Sequence, residues 1–83
     1  MNEFFEIIGR ARVREICQRH GLTREDVKIV EEILDQWEGL AGETEKKIDV
    51  VLKNIGDNPR EIAIVYALTE INIDFMDKKS SQN

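Results

Sequence analysis

The chain is poor in the residues that would tie it to a compartment or a catalytic chemistry. It has one cysteine, Cys17, one proline, one histidine and two serines among 83 residues. A lone cysteine closes no internal disulfide, and there is no basic start followed by a long apolar run of the secretory kind. The longest uninterrupted apolar stretch, Ile62 to Leu68, is seven residues, against roughly 20 for a helix that crosses a bilayer. A cytoplasmic chain without a membrane span is the expectation. Cations are also in deficit, 12 Lys and Arg against 17 Asp and Glu, which speaks against a general nucleic-acid binder. Ser80 and Ser81 lie at the end of the chain and His20 has no carboxylate at a telling spacing, so nucleophilic catalysis has no support. No enzyme activity and no cofactor are expected.

What is present is helical periodicity. Gly21, the Gly39 to Gly42 segment, Gly56 and Pro59 divide the sequence into four stretches, giving an all-α bundle of about four helices near 2–19, 24–41, 44–55 and 59–77. Residues 1–78 form one domain and 79–83 a flexible polar tail. Gly21 supplies the left-handed residue that closes the first helix. Thr23 and Asp26 form a capping box for the second. Asn58 and Pro59 start the last, with Asn as cap and Pro at the first helical position. Val27, Val30, Leu34, Trp37 and Ala41 share one face of helix two. Ile48, Val51, Leu52 and Ile55 form the stripe of helix three.

The outer helices carry more apolar surface than one core face needs. In the last helix, Ile62, Val65, Tyr66, Ile73 and Met76 fall into one group and Ile64, Ala67, Leu68, Ile71 and Phe75 into an opposite one, with Glu70, Asp74 and Asp77 between. In the first, Phe4, Ile7, Ile8 and Ala11 oppose Phe5, Gly9, Val13 and Ile16. A chain of this length hides only roughly 60 to 65% of its surface on folding. Either the last helix is central and covered all round by the other three, or a second apolar face implies a partner, a fixed different protein or, most simply, a second copy in a two-fold homodimer. Phe4, Phe5, Ile64, Leu68, Ile71 and Phe75 are the expected interface residues.

Charge is unevenly divided, with a balance of +2 over the first 24 residues and −7 over the rest. Arg10, Arg12 and Arg14 precede a helix-turn-helix-like passage, Ile16 to Val27, and are the candidate contacts of a dimeric helical DNA-binding regulator. The following helix carries Glu25, Asp26, Glu31, Glu32 and Asp35, which phosphates would repel. Pairing of Glu6 with Arg10 and of Glu15 with Arg19, four residues apart, is the alternative use of the arginines. Cys17 and His20 stand three apart, but a structural zinc site takes four ligands and no second Cys or His exists, so no metal is expected. Gly39 to Gly42 has the GxxG form of certain nucleic-acid-binding loops but lies among helices. An acyl carrier would need a serine where this chain has Leu22-Thr23-Arg24.

Glu31, Glu32 and Asp35 form an EExxD pattern that resembles part of the carboxylate motif of the MazG-type all-α nucleotide pyrophosphatases. The resemblance implies magnesium-dependent hydrolysis as a further alternative. That family completes its cluster with Glu-x-x-Asp on a later helix, whereas Glu45 with Asp49 and Glu70 with Asp74 are each one residue too long. No family resemblance covers the chain's length. The function that best fits these residues is a small non-catalytic adaptor or regulator, of inhibitor, immunity or chaperone character, that binds another protein through helical surfaces. An acidic face of Glu31, Asp35 and Glu38 would suit a basic partner.

Overall fold

The computed structural model describes residues 3–40, 43–55 and 62–81. Among these residues there are five α-helices and no strand: α1 Glu3–Ile8, α2 Arg10–Arg19, α3 Arg24–Trp37, α4 Thr44–Ile55 and α5 Ile62–Ser81, with a 3₁₀ turn at Glu38–Leu40. The all-α bundle expected from the periodicity is what forms. Ala41, Gly42, Gly56 and the Asn58–Pro59 start signal lie outside the described residues.

Two boundaries follow their local signals closely. Gly21, at φ 73°, closes α2: its amide donates to the Gln18 carbonyl at 3.0 Å and that of Leu22 to the Cys17 carbonyl at 3.1 Å. These are the paired bonds of a Schellman end. The Asp26 amide donates to Thr23 Oγ1 at 3.2 Å and the Thr23 amide to Asp26 Oδ2 at 3.1 Å, the reciprocal capping box.

The expected first helix is two helices. Gly9 adopts φ 92° and ψ 141°, backbone that residues with a Cβ rarely enter, and it separates α1 from α2. On a continuous helix Phe4 and Ile8 would point roughly 150° away from Val13, Ile16 and Cys17 at 100° per residue. The break turns both sets inward, and all five are buried. Phe4 is thus core and not interface. The break also takes Glu6 and Arg10 off a common helical face, and Arg10 pairs with Glu31 instead, at 2.9 Å.

The last helix is longer than expected. It continues through Lys79, Ser80 and Ser81, where a flexible tail was anticipated. Lys79 Nζ donates to Glu3 Oε1 at 3.0 Å and lies 5.4 Å from the Phe75 ring centroid, which ties this end of α5 to α1. The inward face of α5 packs against α1, α2 and α3, whereas α4 leans chiefly on α3. Phe4 lies at the centre of the core, stacked on Phe75 at 4.2 Å and tilted against Trp37 at 5.9 Å.

Cys17 is fully buried, and burial, reinforced by the charge of Glu31, pushes its thiol up from 9.0 to about 11. The native state therefore holds the proton more tightly than the unfolded chain. That stability is fully present below pH 9 and is lost as pH rises towards 11, a loss of about 2 to 3 kcal/mol. Lys47 acts in the opposite sense, because burial lowers its pKa from 10.5 and deprotonation then favours the fold. Urea titrations between pH 8 and 11 should show Cys17→Ala losing less stability with rising pH than the parent chain. Equal slopes would mean that the thiol is solvated.

Candidate functional site

The two apolar groups of α5 exist, but their directions are the reverse of the expected ones. Ile64, Leu68, Ile71 and Phe75, expected to meet a second subunit, are at most 2% exposed within a single chain. They are core because the split of α1 from α2 supplies two inward faces in place of one to cover them. Phe5 is half-buried beneath Arg10, whose guanidinium carbon sits 4.3 Å from the ring centroid. The solvent-facing group is the other one: Ile62, Tyr66, Ile73 and Met76 each leave more than half of their surface in water, and Val65 is exposed beside them.

Along α5 the outward positions Ile62, Tyr66, Thr69, Ile73, Met76 and Ser80 follow one another at spacings of 4, 3, 4, 3 and 4, and all are exposed. This is the repeat by which one helix packs along another. The acidic stripe flanking it is occupied from within the chain. Arg19 donates to Glu70, which also meets His20 Nε2 at 3.1 Å, and Arg12 Nε donates to Asp74 at 3.1 Å. The local Glu15–Arg19 pair expected from the sequence is thus replaced by a bond between helices.

A groove of about 300 Å³ opens between α4 and α5 beside this seam. It arises because α4 presents an unexpected face. The inward residues of α4 are Lys47, Val51 and Ile55, while Ile48 and Leu52, expected in the core stripe, are more than half exposed. Trp37, Val51 and Leu68 line the groove together with Ile48, Leu52 and Val65, and Thr44, Lys47, Thr69 and Asn72 supply its polar portion. Lys47 is only 6% exposed. Its ammonium donates to Asn72 Oδ1 at 3.1 Å and lies 5.6 and 5.5 Å from the ring centroids of Phe4 and Trp37, within cation–π range. The Trp37 indole N–H donates to the Lys47 carbonyl at 3.0 Å, fixing the floor. Neither the groove nor Lys47 was anticipated. The available signal was the spacing Lys47, Val51, Ile55, which sets a cation on an apolar stripe.

The arginine candidates divide. Arg10 is tied to Glu31, and Arg12 bridges Glu15 at 2.7 Å and Asp74; the Asp74 hydrogen bond raises its pKa further. Arg14 instead joins Gln18, Arg24 and Lys28 around a shallow cleft of about 510 Å³ between α2 and α3. Among the acidic candidates, Glu31 is held by Arg10, while Asp35 and Glu38 are exposed. Among the described residues no group of three or more His, Cys, Asp or Glu side chains converges as a metal site, and no helix is long and apolar enough to cross a membrane. No protein family, no curated protein and no solved structure matches the chain.

Proposed function

We propose that this chain is a non-catalytic protein-binding module of the adaptor or regulator type, and that its working surface is the outer seam of α5, which pairs first with a second copy. The observation that carries the reading is the exposed run Ile62, Tyr66, Thr69, Ile73 and Met76 at helix-packing spacing. Exposed apolar surface on the order of several hundred Å² marks an interaction site on a small protein. The run is also self-complementary. An antiparallel two-fold pair centred on Thr69 would place Ile62 against the partner's Met76 and Tyr66 against the partner's Ile73, as an isologous interface requires. The flanking Glu70 would approach its own counterpart, but it is already paired with Arg19 and hydrogen-bonded to His20.

Light scattering over a range of concentrations tests this. The parent chain should have the mass of a dimer, and Tyr66→Glu and Ile73→Glu should run as monomers with unchanged helical circular dichroism. A parent chain that stays monomeric, or variants that stay dimeric, would remove α5 as the interface. A DNA-binding regulator is the second reading, supported by Arg14, Arg24 and Lys28 around the α2–turn–α3 cleft. A duplex shift that weakens steeply with salt would mark it.

A further inference from the structure

The floor of the α4–α5 groove holds a cation, Lys47, that has no counter-charge among the described residues. Among the described residues no carboxylate lies within ion-pair distance of Lys47, and its one hydrogen-bond acceptor is the neutral Asn72 amide. An ammonium offers three donors, and one this deeply buried is costly unless paired. A methionine would fill the same space at lower cost, and among the described residues the ammonium has only Asn72 and the faces of Phe4 and Trp37 around it, which leaves donors open to an anion. The rest of the groove describes the remainder of that ligand. By the helical rise the α4 wall runs about 12 Å from Thr44 to Leu52 and about 7.5 Å from Lys47 to Leu52, the reach of an extended chain of roughly six to ten carbons. The polar portion of the groove is set by the cationic Lys47 and the neutral Asn72, and the apolar portion by Ile48, Leu52 and Val65. A volume of about 300 Å³ stands at the small end of ligand pockets.

We propose that this groove binds a medium-chain aliphatic carboxylate, its head seated on Lys47 and its chain laid between Ile48, Leu52 and Val65. The head would take the ammonium donors that Asn72 leaves unused, and the chain would cover two side chains of α4 that are now in water. The burial that lowers the proton affinity of Lys47, helped by the charge of Lys79, is relieved when an anion arrives. The site borders the dimer seam, sharing Thr69 with it and Val65 with the exposed face of α5, but Tyr66 and Ile73 do not line it.

The protein carries its own reporter, since Trp37 is its only tryptophan and lines the groove. Decanoate, below its micellar concentration, should change Trp37 emission saturably, and calorimetry should give one ligand per chain. Decanol, which has the same length and no charge, should bind about tenfold more weakly, the factor that one charge-assisted hydrogen bond supplies. Lys47→Met should bring decanoate down to the level of decanol, and Leu52→Glu, a change at an exposed wall position that the fold should tolerate, should abolish both. The monomeric Tyr66→Glu variant should bind decanoate as the parent does, which separates this site from the dimer reading. Equal binding of decanoate and decanol by the parent, binding untouched by Leu52→Glu, or no saturable binding would each overturn the proposal. Groove closure by a second copy, seen as association lost in Leu52→Glu without decanoate binding to the parent, would do the same.

Discussion

Ile64→Glu is expected to abolish the cooperatively folded domain, whereas Ile73→Glu, nine residues along the same helix, should leave it standing. Ile64 is 1% exposed and Ile73 57%. Removing the isoleucine from the core forfeits about 2 to 3 kcal/mol of transfer free energy, and burying a carboxylate among apolar side chains adds several kcal/mol more. A domain of this length has roughly 4 to 12 kcal/mol in total, so the sum removes most or all of it. Ile73 loses nothing inside the monomer, and its replacement should fall within about 0.5 kcal/mol. Thermal melts by circular dichroism, at concentrations where the parent is monomeric, compare the two directly. A folded Ile64→Glu beside an unfolded Ile73→Glu would mean that α5 sits half a turn away from its orientation here.

That comparison also shows where reading from sequence alone stops. The 100° periodicity sorted the α5 side chains into the correct two groups, because sharing a face depends only on spacing along one helix. Which group faces inward depends on what the other helices offer, and that turned on Gly9. Read as one more position on a helix face, Gly9 left α1 and α2 with two opposed apolar sides and too little cover for α5. With φ 92° it turns both sides to the core, and the surplus apolar surface moves to the outer seam of α5. Signals contained within a few residues were legible to the atom, as the Thr23–Asp26 box and the Gly21 closure show. The ion pairs were not, since Arg10 and Arg19 chose carboxylates 21 and 51 residues away over those one turn off. Lys47 was invisible for the opposite reason: a lysine on a helix is ordinarily assigned to solvent, and only packing against Phe4 and Trp37 shows that its stem and head lie inside.

Phe4→Ala should cost about 3 to 5 kcal/mol, the range for deleting a fully buried aromatic ring. That is more than any other side chain of the short α1 can be expected to contribute. The ring stacks on Phe75 at 4.2 Å and meets Trp37 at 5.9 Å, contacts that add about 0.5 to 1.5 kcal/mol each beyond simple burial. It also carries the Lys47 ammonium on its face. A single residue of α1 therefore joins α3, α4 and α5. Phe5→Ala is the control. Phe5 is only half-buried and has Arg10 over its ring, so its loss should be on the order of 1 kcal/mol. Urea titrations of the two variants measure the difference, and a Phe4→Ala cost no greater than that of Phe5→Ala would show α1 undocked from the core. Phe4 also touches two residues that line the groove, Trp37 and Lys47. Phe4→Leu, which keeps most of the volume and removes the ring, should hold the fold while altering Trp37 emission, because the indole loses its aromatic neighbour and the ammonium loses one of its two faces.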